Sequence, residues 1–396
     1  MSAAGITSAD VVAIARAAGE RLGVEAADRD RERRFPHAEI ADLKQTPLMG
    51  LIVPEEWGGL GADDRTLCAV LGALAEGDPN VAQMYLIHSY GVMTINAMHY
   101  PDAAKERINR RIAAGAWVTN AFSETSGKTV ADYSVRMRRG ASGDWLVSGT
   151  KAYCTGSLAG DLMYVLGVTD DPQPEYRIGI VETSAPGVRI VDDWSAMGQR
   201  TTSSGTTIFE DAAVPADLCS TLDHVNVPDS VFGSVGQLMF SAILAGIARN
   251  ALADAVGYVQ TKSRPWIASG VDRAADDPYV ISLIGELQIR IAAAEGALQL
   301  ALAQREATLA ALSPATRDLA SVAAGQAKAL ASEAALRNSE QLFQACGTGA
   351  VLGKFNYDRH WRNARTLTLH DPVSYKLRLV GDWLLNGASP PISVYT

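Results

Sequence analysis

The sequence has few cysteines, and they lie far apart. Its four cysteines, at positions 68, 154, 219 and 346, form no CxxC pair. Disulfide frameworks and structural zinc sites need paired or closely spaced cysteines, so the sequence predicts neither. The thiols are instead expected to be buried and reduced.

Long runs of one kind of residue are also missing. No basic run offsets the net charge of −9, so a nucleic-acid-binding surface is not expected. No window holds about eighteen uninterrupted apolar residues, and the first ten residues are too polar for a signal peptide. We therefore expect a cytoplasmic protein without a membrane span.

Three common catalytic motifs do not occur. There is no HExxH, and His360 and His370 lack the spacing of metal ligands, so no metal site is predicted. No GxSxG turn is present, and no GxGxxG follows a predicted strand. These absences argue against zinc proteases, serine hydrolases and enzymes with a Rossmann-type NAD site.

The sequence does contain an ordinary globular composition. Of its 396 residues, 47% are hydrophobic and 20% are charged, which suits two or three packed domains. A helical period dominates the first domain, predicted over residues 1–115. Its first helix has an apolar stripe over residues 11–22 and Ser8 as a possible N-cap. One proline and three glycines predict a turn within residues 51–61.

Over residues 116–226, the predicted middle domain, apolar residues tend to recur at every second position. Runs of β-branched and aromatic residues are separated there by Gly, Pro, Asp and Ser. Because no helical segments intervene, an antiparallel sheet or small barrel is favoured. The predicted strands are residues 130–138, 145–150, 162–168, 176–182, 187–192 and 205–209.

The helical period returns over residues 227–396. Three segments, at 232–259, 278–309 and 314–346, are each long enough for more than about seven helical turns. They are rich in Ala and Leu, which suits tight packing of antiparallel neighbours in a helical bundle. The predicted fold class is therefore a multidomain α+β protein.

This order of helical, β and helical blocks resembles the acyl-CoA dehydrogenase fold, with its N-terminal helical domain, middle β domain and C-terminal four-helix bundle. Within that fold, the local motifs are similar to those of the dibenzothiophene monooxygenase group of two-component flavin monooxygenases. The resemblance covers nearly the whole chain. Its motifs are WVTNAFSE at 117–124, GTKAYCTG at 149–156, WSAMGQRTTSSG at 194–205, SRPW at 263–266, DDPY at 276–279, RHWRNAR at 359–365, LHDPVSYK at 369–376 and LNG at 385–387.

The resemblance implies an oxygenase activity. In these enzymes a separate NAD(P)H:flavin reductase supplies reduced flavin, O2 adds at flavin C4a, and the hydroperoxide passes one oxygen atom to the substrate. The implied substrate is an apolar aromatic or heteroaromatic molecule, with hydroxylation of an indole-type ring and S-oxidation both open. The flavin is expected between the β domain and the bundle of a homotetramer.

The same resemblance implies a set of flavin-binding residues. Asn120, Ser123 and Thr155 match positions that contact the flavin, whose pyrimidine edge offers carbonyls and ring nitrogens. These residue types are also common at strand ends and in turns for purely structural reasons. Tyr153 and Trp194 are expected to place aromatic rings beside the isoalloxazine, although aromatics are often simple core residues.

Phosphate binding is implied by two further motifs. Arg264 matches a phosphate-binding arginine that reaches across a subunit boundary. Gly347 and Gly349 lie in a glycine-rich stretch that resembles the pyrophosphate-binding turn of the FAD-dependent dehydrogenases. At Gly349 the dibenzothiophene enzymes carry a second arginine instead. This departure favours FAD over FMN.

His370 is the predicted catalytic residue. Its motif places it over the flavin, and imidazole can gain or lose a proton near neutral pH; the alternative is a packed loop histidine beside an N-capping Asp371. His88 is a second candidate, with a satisfied core histidine as its alternative. Phe122, Phe232 and Asp371 are expected in the substrate pocket.

Two other functions stay open at this stage. In an acyl-CoA dehydrogenase a carboxylate base would remove the substrate α-proton, and Asp371 falls where one branch of the family carries its Glu. Asp is one methylene shorter and is followed by Pro372, which makes that geometry unfavourable. A non-catalytic binding protein that kept the fold is the third reading, and the matching flavin residues argue against it.

Overall fold

The computed structural model describes residues 5–129, 132–222, 227–228 and 230–396. Within these residues it contains ten α-helices and eight β-strands. In chain order they are α1 Ser8–Glu32, α2 His37–Lys44, α3 Asp64–Gly77, α4 Pro79–Ala97, α5 Asp102–Ala113, β1 Val118–Ala121, β2 Arg136–Arg139, β3 Trp145–Lys151, β4 Leu162–Thr169, β5 Tyr176–Glu182, β6 Val188–Val191, β7 Thr206–Val214, β8 Cys219–Thr221, α6 Phe232–Thr261, α7 Pro278–Ala310, α8 Pro314–Cys346, α9 Asp358–Thr368 and α10 Val373–Asn386.

The first helical block begins at a capping box one residue earlier than predicted. The hydroxyl of Thr7 accepts a hydrogen bond from the Asp10 backbone N–H at 3.2 Å, and the Asp10 carboxylate accepts from the Thr7 N–H at 2.9 Å. Thr7, not Ser8, is therefore the N-cap of α1. The predicted turn at residues 51–61 is confirmed, and it requires glycine at position 59. A Cβ on Gly59 would lie 2.1 Å from the Val53 carbonyl oxygen.

The β domain is a mixed sheet rather than an antiparallel one. Its order is β6-β7-β3-β2-β4-β5-β8, and β1 pairs beside β2 along β4. Both β1 and β2 run parallel to β4, whereas the other pairs are antiparallel. Five of the seven strand pairs are antiparallel, as predicted for this domain. The two parallel pairs were not predicted, because pairing between strands distant in sequence leaves no mark on the local hydrophobic period.

Strand positions followed the prediction with four exceptions. Strands β1 and β8 were not among the predicted runs, β7 continues to Val214 instead of ending at residue 209, and β2 begins only at Arg136 although a strand was expected from residue 130. Residues 130 and 131 lie outside the described residues, as do residue 226, at the predicted second domain boundary, and Asp229. The first boundary, at residues 115–116, falls between α5 and β1.

The long helices of the last block begin where local capping signals stand. Asp277 and Ser313 each accept a hydrogen bond from the backbone of the first turn, and a proline follows each of them at the first helical position. Helices α6, α7, α8 and α10 pack as a bundle in which α8 contacts the other three. Helix α6 is long and apolar enough to cross a membrane, but 67% of its most apolar window is buried inside the protein. Its composition is that of a core helix.

Candidate active site

A cavity of about 110 Å³ lies where the three blocks of the chain meet. Helix α4 forms one wall, the end of β1 and its following loop form another, and the first turns of α6 form the third. The residues near the end of the sequence cover it. The lining residues are Leu86, Ile87, Tyr90, Thr94, Met98, Asn120, Phe122, Ser123, Tyr164, Ile178, Leu222, Phe232, Gly236, Gln237, Phe240, His370, Val394 and Tyr395.

The cavity collects five of the residues predicted from the sequence. Asn120, Phe122 and Ser123 reach it from the end of β1, Phe232 from the start of α6, and His370 from the turn after α9. These residues are separated by up to 250 positions in the chain and come together only through packing of the three blocks. A single chain thus brings the predicted flavin-binding residues at the end of β1, the first turn of α6 and His370 to one cavity.

A buried ion pair holds the loop that follows β1. The ammonium of Lys151 lies 2.6 Å from the Glu124 carboxylate, and the two side chains are 0% and 1% exposed. The same ammonium donates to the Phe122 carbonyl at 2.9 Å. Because the loop carries Phe122 and Ser123, this ion pair fixes two cavity residues in place. Neither charged residue was singled out in the sequence.

The predicted flavin cradle is assembled from three neighbouring segments. The Ala152 N–H donates to the Ser123 carbonyl at 2.9 Å, which joins the ends of β1 and β3. The hydroxyls of Thr155 and Ser204 lie 2.9 Å apart, which adds the segment before β7. Asn120 and Thr155 are buried at this junction. The structure therefore brings Asn120, Ser123 and Thr155 into one polar edge.

Two aromatic side chains stand beside this edge. Tyr153 has a left-handed backbone with φ of +56° and is 54% exposed. Its ring packs edge-on against Trp194 with the ring centroids 6.1 Å apart. The Trp194 indole N–H donates a hydrogen bond to the Gln199 carbonyl at 2.7 Å. The Trp194 ring therefore offers apolar surface rather than a hydrogen bond, whereas the Tyr153 ring also carries a hydroxyl group.

The residues of this junction fit a flavin. The Asn120 side-chain oxygen is buried and has no hydrogen-bond partner among the residues that the structure describes. A buried polar atom normally has a partner, and the pyrimidine edge of a flavin carries both donors and acceptors. Asn120, Ser123 and Thr155 would hold that edge, and the exposed ring of Tyr153 and the half-buried ring of Trp194 would lie against the ring system.

His370 presents its ring to the cavity. Its side chain is 41% exposed, and the ring packs on Phe240 at 4.4 Å between centroids. The Tyr395 ring lies 6.1 Å away on the other side. Its Nδ1 is 3.4 Å from an oxygen of Asp371. The ring is accessible to a cavity occupant and is oriented from behind by a carboxylate, as a proton-transfer group requires.

Asp371 lies behind His370 and does not line the cavity. Its carboxylate is 2.8 Å from the Lys376 ammonium and 3.5 Å from the Lys328 ammonium. Burial would raise the pKa of Asp371, but the hydrogen bond to His370 and the two ammonium groups outweigh it and hold the pKa well below its usual range. Asp371 was predicted to line the substrate pocket, and this prediction was wrong, because its carboxylate binds the two lysines outside the cavity. Asp371 is also not the N-cap of α10, which is Pro372.

Lys328 is a charged residue of this region that the sequence reading missed. It is completely buried in α8, and its ammonium lies 4.2 Å from the centre of the Phe240 ring. Burial lowers the pKa of Lys328 to about 8, although the nearby Asp371 carboxylate acts in the opposite direction. A lysine among the small residues of Gly325-Gln-Ala-Lys-Ala-Leu330 was the available signal.

His88 has both ring nitrogens engaged by backbone groups. Its Nε2 lies 3.0 Å from the Met49 carbonyl oxygen, and its Nδ1 accepts from the Val118 N–H at 3.1 Å. Burial lowers the pKa of His88 to about 4, so the ring is neutral at physiological pH. The residue is not part of the cavity lining. This geometry favours the alternative of a satisfied core histidine.

The predicted phosphate-binding residues gather at the far end of the bundle. The Ser263 hydroxyl donates to the Cys346 carbonyl at 3.0 Å, which places exposed Arg264 near the turn at Gly347. A Cβ on Gly349 would lie 2.4 Å from the Tyr258 hydroxyl, so close packing already accounts for that glycine. Tyr258 is five turns beyond Phe240 on α6, or about 27 Å along the axis. The structure therefore does not bring these residues to the cavity of their own chain.

Comparison with known proteins agrees with this geometry. The chain matches the acyl-CoA dehydrogenase N-terminal domain over residues 11–116, the middle domain over 119–212 and the C-terminal domain over 238–375. It is 34% identical to dibenzothiophene monooxygenase from Rhodococcus erythropolis over 96% of this chain and 94% of that protein. It is 29% identical to the probable FMNH2-dependent monooxygenase SfnC from Pseudomonas putida over 97% of each chain.

A solved structure shows the same architecture. FMN-bound TdsC from Paenibacillus sp. A11-2 superposes with a TM-score of 0.93 at 29% identity, covering 98% of this chain and 100% of that one. The three domains occur in the expected order, and the relatives cover 96% to 98% of the chain. The chain therefore belongs to the acyl-CoA dehydrogenase family, in the branch of flavin-dependent monooxygenases that includes the dibenzothiophene monooxygenases.

Proposed function

We propose that this flavin-dependent monooxygenase transfers one oxygen atom from O2 to a small apolar aromatic or heteroaromatic substrate bound in the cavity. The observation that carries the proposal is the cavity itself, which is walled by aromatic rings and touches both the flavin cradle and His370. Its volume is about 110 Å³. An apolar cavity of about 150 Å³ is known to hold benzene, so a bicyclic substrate requires this smaller cavity to widen when it binds.

Different side chains have different roles in such a reaction. Bound reduced flavin supplies the two electrons and the site at which O2 is activated. Asn120, Ser123 and Thr155 hold the flavin edge, and the apolar walls exclude water that would waste the activated oxygen. His370 holds or delivers a proton beside the substrate, and Asp371 orients its ring. The net reaction consumes O2, two electrons and two protons and yields oxygenated substrate and water.

The flavin we propose is reduced FMN. The expected preference for FAD over FMN has no support in the comparisons: one structural neighbour contains FMN, and SfnC is named for FMNH2. Gly349, the residue behind that expectation, packs against the Tyr258 hydroxyl, which gives this glycine a structural reason that does not involve a flavin phosphate. The relatives also support a separate NAD(P)H:flavin reductase as the source of reduced flavin. Parallel titrations with FMN and FAD decide between the two flavins.

We further propose that the functional unit is a homotetramer. The predicted phosphate-binding Arg264 follows Ser263, whose N–H donates to the Tyr258 carbonyl, and Tyr258 lies about 27 Å along α6 from Phe240 of the cavity. A role for Arg264 in the flavin site of a neighbouring subunit fits this separation. A groove between α7, α8 and α10 is lined largely by apolar residues, and many apolar side chains of these helices are exposed. The most exposed aliphatic side chains among them are Ile289, Leu300, Leu377, Leu384 and Leu385. Sedimentation velocity measures the assembly directly.

The activity is tested by isotope labelling. The purified protein is supplied with FMN, NAD(P)H, a flavin reductase and ¹⁸O2, with indole and benzothiophene as candidate substrates. We expect a product that carries one ¹⁸O atom and depends on the reductase. A flavin reduced directly by an acyl-CoA, without reductase and without a labelled product, would instead identify a dehydrogenase. The position of Asp371 argues against that result, because its carboxylate is bound by two lysines outside the cavity.

A further inference from the structure

Gln237 places an amide among the largely apolar residues that line the cavity. It lies in the second turn of α6, is 2% exposed and belongs to the cavity lining. Phe240 lines the cavity beside it, because residues three apart share one face of a helix, and Gly236 also belongs to the lining. A single amide in this apolar helix segment fulfils no evident packing need.

The side-chain oxygen of Gln237 has no partner. It is buried, and none of the residues that the structure describes donates a hydrogen bond to it. Two nearby polar groups have internal partners: the Gln237 backbone carbonyl accepts from the Ser241 hydroxyl at 2.7 Å, and the Thr94 hydroxyl donates to the Tyr90 carbonyl at 2.8 Å. Among the described lining residues, the Asn120 side-chain oxygen also lacks a partner, and it is assigned above to the flavin. A buried acceptor without a donor is unfavourable, so a donor from the cavity occupant would relieve it.

We propose that Gln237 determines specificity by accepting a hydrogen bond from a ring N–H of the substrate. The substrate class is then an aromatic nitrogen heterocycle of the indole type rather than a sulfur heterocycle. A thiophene sulfur carries no hydrogen to donate and would leave the amide oxygen unpaired. A site built to bind an N–H group rejects an isosteric ligand that lacks it. This inference rests on the proposed function only in placing the substrate in the same cavity.

Three ligands of one shape separate the possible contacts. Indole presents an N–H donor, benzofuran an oxygen acceptor and benzothiophene a sulfur atom, on bicyclic frames of similar size. Their dissociation constants are measured by calorimetry on the full-length protein loaded with oxidised FMN, without reductant. The wild-type protein is compared with Gln237→Met, which keeps the length of the side chain and removes its amide. Gln288→Met, at an exposed glutamine of α7, serves as the matched control.

We expect Gln237→Met to weaken indole binding about tenfold, the usual effect of one hydrogen bond, and to change benzothiophene binding less than about twofold. Gln288→Met should change neither. Equal losses for all three ligands, or no loss for indole, would overturn the proposal. A loss confined to benzofuran would also overturn it, since the amide would then be acting as a donor.

The binding experiment can fail or succeed independently of the proposed oxygenase activity. Binding to oxidised enzyme needs no oxygen transfer, so an absent ¹⁸O product does not affect it. Conversely, labelled product from benzothiophene would uphold the oxygenase activity even where Gln237 made no difference. Thermal melting and FMN affinity report on folding, and Gln237→Leu replaces the Met variant if that one does not fold. The same selective loss of indole binding is expected from Gln237→Leu.

Discussion

The exposed ring of His370 and the buried carboxylate of Asp371 have different roles. The ring contacts the cavity, whereas Asp371 is held by Lys328 and Lys376 and only orients it. We expect His370→Ala to bind FMN as the wild type does and to lower product formation by at least about a hundredfold, the usual range for a proton-transfer group. Consumption of NAD(P)H should continue, with the lost product appearing as H2O2. Product and peroxide are quantified in the same reaction. His37→Ala, at an exposed histidine of α2, is the control, and unchanged coupling in His370→Ala would remove this residue from the reaction.

The buried ammonium of Lys328 gives a second residue-scale prediction, on stability against pH. Its pKa is lowered from 10.5 to about 8 in the folded protein. Between these values the unfolded chain binds a proton that the folded chain has released, so the free energy of unfolding rises with pH. The wild type should therefore gain stability relative to Lys328→Met between pH 8 and 10.5, by at most about 3 kcal/mol. Urea denaturation of both proteins at several pH values measures the difference. Parallel pH profiles would contradict a lowered pKa.

Among the structural elements, the loop after β1 depends on one buried ion pair. Lys151→Met would leave the Glu124 carboxylate buried without its cation, which typically destabilises a protein by about 3–5 kcal/mol. Because the same ammonium binds the Phe122 carbonyl, FMN binding should weaken as well. The double variant Lys151→Met/Glu124→Gln should recover part of the stability, since no unpaired charge remains. Chemical denaturation and flavin titration of the single and double variants test this. Equal stability of the two would show that the ion pair does not hold the loop.

Elements were predictable wherever their signals are local. Helices α6, α7 and α8 start at the predicted residues, because aspartate or serine caps followed by proline mark α7 and α8 and an apolar run marks α6. Strand β5 has the predicted bounds, since two turns enclose it. The parallel pairing of β1 and β2 with β4 was not predictable, because it joins strands separated by other elements and does not alter the residue pattern of either strand.

The proposed role of Arg264 concerns the whole molecule, because it requires contact between two subunits. If it binds the flavin phosphate of a neighbouring subunit, Arg264→Ala should weaken FMN binding by about 1.5–3 kcal/mol. Asn120→Ala should weaken it through the cradle. Co-refolded mixtures of the two variants would then contain sites that combine a wild-type Arg264 with a wild-type Asn120, and those sites should bind FMN tightly. Fluorescence titration of the mixture against each variant alone measures the recovery. A mixture no better than its components would place both residues in one subunit's site or remove Arg264 from the site.

The sequence by itself determined the order of the blocks, the bounds of the long helices and the types of residue in the flavin cradle. These follow from caps, periodicity and short motifs, which act over a few residues. Tertiary structure decided which of the candidates meet. It brought Asn120 and His370 to one cavity, drew Asp371 away from it towards two lysines, enclosed His88 in backbone hydrogen bonds and left the Gln237 oxygen without a partner. Burial and pairing of polar groups depend on contacts between segments far apart in the chain, and no local pattern encodes them.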